Sequence, residues 1–205
     1  MRRAIAVAVA TLLCAGCLGS ALDSKREAPE VYRLDAPPLP NGGDSLAAAL
    51  VVARPRAPAS LDTDRIVVVE PEHGFDYYAG VRWSEPAPQM LQRVLVDALA
   101  ADGHYATVVA APARVPSEYL LDVELRQFEA VGSGEAGPTV RVRLQATLVD
   151  ARRGVRVTSF VAGAESPASA NRRDAVVAAF DEATRRTVEA VVAGLREGSK
   201  TPPAK

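Results

Sequence analysis

The chain has 205 residues, with 24 basic against 25 acidic side chains and a net charge of −1. That balance leaves no basic excess to hold a polyanion and excludes a general nucleic-acid binder. Alanine and valine dominate while Phe and Trp number 4 and 1, so small branched side chains rather than aromatics are expected to build the core.

The N-terminus reads Arg2-Arg3 and then AIAVAVATLLCAG. Two positive charges, an apolar run of about a dozen residues and a small-residue exit are the marks of a secretory signal peptide. The run is short of the roughly 20 apolar residues that span a bilayer, and no later segment comes closer. Its exit, Ala15-Gly16-Cys17, resembles the bacterial lipobox, in which the signal is cut just before a cysteine whose sulfur carries a diacylglycerol. The resemblance implies residues 1–16 as a lipoprotein signal peptide and Cys17 as the lipidated first residue of the mature chain. It departs at Cys14, which stands where the lipobox usually has Leu; Leu13 is one place too early. The alternative is an ordinary secretory signal with an incidental cysteine.

Cleavage after Gly16 would remove Arg2, Arg3 and no acid, leaving 22 basic against 25 acidic side chains, a charge of −3. With Cys14 removed and Cys17 acylated, neither a disulfide nor a thiolate metal site can form within one chain. No cofactor is expected beyond the covalent diacylglycerol and acyl chain at Cys17. Such a multi-chain anchor holds a protein stably at a membrane. Leu18 is not the Asp that retains lipoproteins at the inner membrane, which points to the periplasmic face of the outer membrane of a Gram-negative bacterium.

Residues 17–31 are polar and unpatterned and read as the lipidated N-terminus and its tether. The apolar runs SLAAALVVARP (45–55) and RIVVVEP (65–71) suit buried strands, with the turn-rich PASLDTD between them. DYYAGVRW (76–83) alternates as a third strand. A helix follows, with Ser84 as its expected N-cap and Pro86 in its first turn. Met90, Leu91, Val94, Leu95, Ala98 and Leu99 fall on one face, and Gly103 supplies the stop. After a short strand at YATVVAA, residues 117–131 alternate, with Tyr119, Leu121, Val123 and Leu125 on one side. Residues 138–150 do the same, with Val140, Val142, Leu144, Ala146 and Leu148 inward. Alternation of this kind buries one face and leaves the other wet, the habit of antiparallel sheets. GSGEAG and ARRG connect these two strands and VRVTSFVAG into a meander. A last helix, about 172–195, repeats Val176, Ala179, Phe180, Ala183, Val188, Val191, Val192 and Leu195 at helical spacing. The expectation is one α+β domain over 32–196: a mixed, mostly antiparallel sheet of six or seven strands under two long amphipathic helices. Residues 197–205 are expected to be a disordered tail.

Residues that could carry chemistry are few. His73 and His104 each sit beside Gly in expected turns, with no cysteine and no obvious carboxylate pairing, and read as surface or turn histidines rather than metal ligands or general bases. GSGEAG has the glycines of a phosphate loop, but a strand and not a helix follows it. Asp174, Asp181 and Glu182 belong to the polar side or first turns of the last helix. The basic set Arg141, Arg143, Arg152, Arg153 and Arg156 has two readings. One is a solvated face partly neutralised by Glu124 and its neighbours. The other is a docking patch for an acidic partner or lipid headgroups.

The stretches YRL (32–34), RIVVVEP leading into YYAGVRWSEPAPQMLQRVLVDALA, and YLLDVELRQFEA resemble the ABC-type transport auxiliary lipoproteins. This is the family of the PqiC-like outer-membrane lipoproteins that accompany Mce-domain transport systems. The likeness runs from about residue 32 to 195, and its most specific part is the Tyr77–Pro86 block. It implies a non-enzymatic part of a system that moves lipids or hydrophobic compounds across the envelope. The implied partners are an Mce-domain periplasmic protein and an inner-membrane permease and ATPase, and a homo-oligomer is compatible with it. Trp83 closes the third strand just before the helix and is expected to pack the strand–helix corner, with Pro86 fixing the entry. By the same likeness these residues keep the fold, and Cys17 alone carries a chemical role. Two other classes stand beside this reading. A stand-alone lipoprotein could enclose a lipid or small hydrophobic ligand, and an envelope hydrolase would need a nucleophile and a base in reach.

Overall fold

The structure, a computed structural model, describes residues 28–40, 42, 45–70, 74–132 and 136–200. Cys17, the signal peptide, His73 and the centre of the 132–137 loop lie outside them. In chain order the elements are β1 (Glu30–Tyr32), β2 (Leu46–Val52), β3 (Arg65–Val69), β4 (Phe75–Trp83) and α1 (Ala87–Asp102). There follow β5 (Tyr105–Ala110), β6 (Tyr119–Val131), β7 (Thr139–Asp150), β8 (Val155–Pro167) and α2 (Arg173–Lys200).

All eight strands join one mixed sheet, and β6 organises it. One edge of β6 pairs antiparallel with β7 over its whole length, and β7 pairs antiparallel with β8. Its other edge is shared by two strands in succession. β2 runs parallel to Tyr119–Leu121, Arg56 bridges at Glu124, and β3 runs parallel to Glu129–Val131. β5 adds to β2, while β4 and then β1 add to β3. The α+β class holds, and the strand beyond the expected seven is β1. Glu30 and Val31, left in the tether by the sequence reading, enter the sheet parallel to Val81 and Arg82.

The alternation in β6 and β7 sets the core. Leu121, Val123 and Leu125 on β6 and Val140, Val142, Leu144, Ala146 and Leu148 on β7 are all buried. Between Leu125 and Gln127 the register shifts by a bulge. The extra residue keeps Phe128 and Ala130 on the buried face, where a strict two-residue period from Leu125 would turn them to solvent.

Both helices cover this inner face. α2 packs on β7 and β8, and α1 packs on β5 and β2. The expected inward residues of each are buried, from Met90 to Leu99 in α1 and from Val176 to Leu195 in α2. Each large aliphatic side chain so placed contributes about 1.5–3 kcal/mol relative to exposure. Gly103 ends α1 in the left-handed region at φ 71°, as its position after the apolar stripe predicts.

Four expectations need correction. Ser84 is not the N-cap of α1: its N–H donates to the Tyr32 carbonyl at 2.7 Å, holding it in the pairing with β1. Pro86 takes the cap position instead, with no side-chain hydrogen bond, and Pro88 sits in the first turn. The helix α2 runs on to Lys200, so the first residues of the expected disordered tail are helical. Trp83 does not stop at the strand–helix corner. It reaches the middle of the core, 5.6 Å from the Phe128 ring and 5.2 Å from Phe180 on α2. Thus three of the chain's few aromatics stack at the centre of a mainly aliphatic core.

Two polar ties fix the helices. Gln92 is buried on α1 and donates to the carbonyls of Val52 and Ala111 at 2.9 and 3.0 Å, stitching the helix to the ends of two strands. Arg196 near the end of α2 grips Asp102 at the end of α1 through both carboxylate oxygens, at 2.6–3.1 Å. Asp102 is almost fully buried, and Arg196 also donates to its carbonyl, so one guanidinium joins the two helix C-termini.

Candidate functional site: the outer sheet face beside β8

With helices on one side, the other side of β6, β7 and β8 faces solvent. The register sets its residues in rows across the three strands: Glu129–Arg141–Glu165, Gln127–Arg143–Gly163, Glu124–Gln145–Val161 and Asp122–Thr147–Ser159. The first two rows are charged and the last two are mainly polar, held by hydrogen bonds. Gln145 donates to Ser159 Oγ at 2.9 Å and to the Phe160 carbonyl at 3.0 Å, and Thr147 and Ser159 share a bond of 2.9 Å.

The charged rows shape a concavity of about 400 Å³ lined by Gln127, Arg141, Arg143, Gly163, Glu165 and Arg186. Arg141 Nε stands 3.2 Å from Glu165 Oε1. Arg186 comes from α2, passes the edge of β8 and donates to the Glu165 carbonyl at 3.1 Å. Gln127 donates to Glu129 Oε1 at 3.1 Å. Arg143 is exposed and makes no hydrogen bond or ion pair among the described residues. Gly163 keeps the space beside it open. A Cβ there would lie 2.9 Å from the Val142 carbonyl and 3.4 Å from Arg143 Cα. Three guanidiniums against Glu165 and Glu129 leave the site with an excess of one positive charge. Planar guanidinium forks with unused donors bind carboxylate or phosphate oxygens in pairs.

The five arginines singled out in sequence therefore divide into two groups. Arg141 and Arg143 share the concavity. Arg152, Arg153 and Arg156 gather at the β7–β8 turn, about 23 Å away along the strand. Two of these three are engaged locally. Arg152 donates to Glu118 Oε1 at 2.5 Å, and Arg153 approaches Asp150 at 3.8 Å. Glu118 also accepts the Ala49 N–H at 2.8 Å. That backbone bond first, and then Arg152, hold its carboxyl below the usual carboxylate range. Arg152 thus helps fasten β2 to the start of β6. Neutralisation differs from expectation as well: Glu124 lies 3.7 Å from Arg126 on its own strand, and the acid beside Arg141 is Glu165.

Sequence reasoning missed Arg186 and Gly163. Arg186 lies on a helix distant in sequence and reads there as one more solvated charge. A glycine in a strand does signal close backbone approach, and Gly163 was open to that inference. His104, read as a surface or turn residue, does lie in the turn between α1 and β5, but it is buried there with its ring 4.9 Å from Tyr105. Among the described residues no group of three or more His, Cys, Asp and Glu side chains is placed to hold a metal ion. Among them, too, no helix is long and apolar enough to cross a membrane.

Among curated proteins no sequence matches significantly. Solved structures do. Protein XCC0632 from Xanthomonas campestris is 26% identical, with 83% of this chain and 99% of that chain covered and a TM-score of 0.74. The hypothetical protein CT253 from Chlamydia trachomatis shares the fold alone. It has a TM-score of 0.53 at 7% identity, over 75% of this chain and 97% of that one. Residues 32–192 match the family described as the ABC-type transport auxiliary lipoprotein component, and the chain belongs to that family.

Proposed function

We propose that this protein is a lipid-anchored subunit on the periplasmic face of the outer membrane. There it serves as the non-catalytic auxiliary component of an ABC/Mce-type transporter that moves lipids or hydrophobic compounds across the envelope. The observation that carries this reading is the family match over residues 32–192, preceded by a lipobox-like exit at Cys17. Cys17 carries the diacylglycerol and the amide-linked acyl chain. From Cys17 to Glu30 the chain can extend at most about 45 Å, which lets the domain meet a partner away from the bilayer surface. The partners are an Mce-domain periplasmic protein and, through it, an inner-membrane permease and ATPase. The arginine concavity on the outer sheet face is the docking surface, because it presents the Arg143 guanidinium, which no neighbour among the described residues engages.

The test is affinity capture of the C-terminally tagged full chain from crosslinked envelopes, with mass spectrometry of what is retained. An Mce-domain protein together with a permease or ATPase, lost in Cys17→Ala, is the expected result. Recovery of the protein alone with stoichiometric lipid would overturn the reading in favour of a ligand carrier.

A further inference from the structure

The outer strand of the meander, β8, is thirteen residues long and among the described residues pairs with β7 alone, on one side. The direction of its unused backbone groups follows from one hydrogen bond. Arg186 donates to the Glu165 carbonyl, so that carbonyl points away from β7. In an antiparallel pair the inward and outward residues alternate, and the register is unbroken from Thr139 to Leu148. The N–H and C=O groups of Gly163, Val161 and Ser159 therefore point to the open side too, and all three residues are exposed. A long, exposed edge of this kind is a template for another strand.

Both flanks of the edge state what that strand must look like. On the outer side, Arg143 stands behind Gly163, which has no side chain to screen it. A strand added to β8 would lie two strand spacings from β7, about 9.6 Å. Arg143 and a carboxylate on the added strand, each leaning over Gly163, close that gap between them. Arg141, paired with Glu165, and Arg186 complete a site whose net excess is one positive charge. On the inner side, a concavity of about 480 Å³ runs between β8 and α2, lined by Thr158, Phe160, Ala190, Ala193, Gly194 and Gly198, with Glu197 at one end. Phe160 packs over Gly194, where a Cβ would come within 2.5 Å of its ring. Small side chains there leave room for apolar side chains of an incoming strand.

We propose that β8 is the binding edge for an extended segment of a partner protein that alternates apolar and acidic residues. The segment adds to the sheet as a ninth strand, with its apolar side chains against α2 and its carboxylates toward Arg143. A second copy of this chain fits less well. β8 paired with itself about Val161 offers Arg143 no carboxylate. Sliding it to set Glu165 opposite Gly163 places Pro167, which has no N–H, opposite Val161. The proposal rests on reading the arginine face as a docking surface and is independent of which transporter supplies the partner.

The test is fluorescence anisotropy of the full chain with a labelled nine-residue peptide of alternating Val and Glu. Two controls accompany it: the same peptide with Lys for Glu, and the Glu peptide N-methylated at alternate amides. The Glu peptide is expected to bind at least about tenfold more tightly than the Lys peptide, given the steep cost of like charges across an interface. N-methylation abolishes binding through lost edge hydrogen bonds. Arg143→Glu reverses the preference, and Val161→Pro, which removes an edge N–H that serves no internal pairing, abolishes binding. Equal binding of Glu and Lys peptides, or of parent and N-methylated peptides, would overturn the proposal. So would failure of every peptide to bind together with a homo-oligomer dispersed by Val161→Pro. None of these results touches envelope capture, so the edge proposal and the transport reading fail separately.

Discussion

The two faces of the β6–β8 meander are built from the same strands with opposite chemistry. On the inner face, successive residues of β7 are aliphatic and fully buried under α2. On the outer face, the residues between them are Arg141, Arg143, Gln145 and Thr147, open to solvent or held in shallow hydrogen bonds. The period of two thus assigns stability to one face and leaves the other available for recognition. Substitutions on the inner face are therefore expected to change unfolding, and those on the outer face to change binding at nearly constant stability.

The largest effect is expected at the centre of the inner face. Trp83→Ala empties the contact with Phe128 and Phe180 and should cost about 3–5 kcal/mol, read as a lower midpoint in urea. Next comes the tie between the helices. Arg196→Met leaves the buried Asp102 carboxylate without its main partner and should cost about 3 kcal/mol. Asp102→Asn in the same background should restore part of that loss. Gly163→Val is the one outer-face substitution expected to cost stability, because the position touches backbone. Its side chain would crowd the Val142 carbonyl, so a loss of about 1–3 kcal/mol is expected, together with closure of the concavity.

Glu118 sharpens the comparison through pH. Its carboxyl is held below the ordinary value of 4.5 by the Ala49 N–H and Arg152. A lowered folded-state value stabilises the fold above the unfolded-state value and ceases to do so as pH falls through the folded one. Glu118→Gln should therefore reduce the fall in Tm on acidification below about pH 4.5, measured by thermal melts between pH 6 and 3. The smallest stability effect belongs to Arg143→Ala, within about 0.5 kcal/mol of the parent. A larger loss would show that the outer face also holds the fold.

The inner face was legible in the sequence and the outer one only in part. The stripes Met90 to Leu99 and Val176 to Leu195 were readable because burial imposes one period along each continuous segment. β1 was not readable. Three residues, Glu30–Tyr32, carry too little pattern, and their partner strand β4 begins more than forty residues later. Ser84 looked like a cap because local chemistry favours it, but the nonlocal bond to Tyr32 engaged its backbone first. The arginine concavity was half visible. Arg141 and Arg143 announced themselves by alternation, whereas Arg186 joins them only through the packing of α2 on β8. The separation of Arg152, Arg153 and Arg156 from that pair was hidden too, because sequence proximity across a turn says little about distance along a long strand.

Val31 on β1 and Val161 on β8 offer a matched pair, since each is a valine on an outer strand of the sheet, 54% and 51% exposed. The most direct test replaces each in turn with a photo-crosslinking phenylalanine analogue in the full chain and irradiates intact cells. The expected result is a crosslink from position 161, and not from 31, to a component of an ABC-type transport system, lost when Arg143→Glu is added. Crosslinks to such a component from position 31 alone, or from 161 only to a second copy of this chain, would contradict the account.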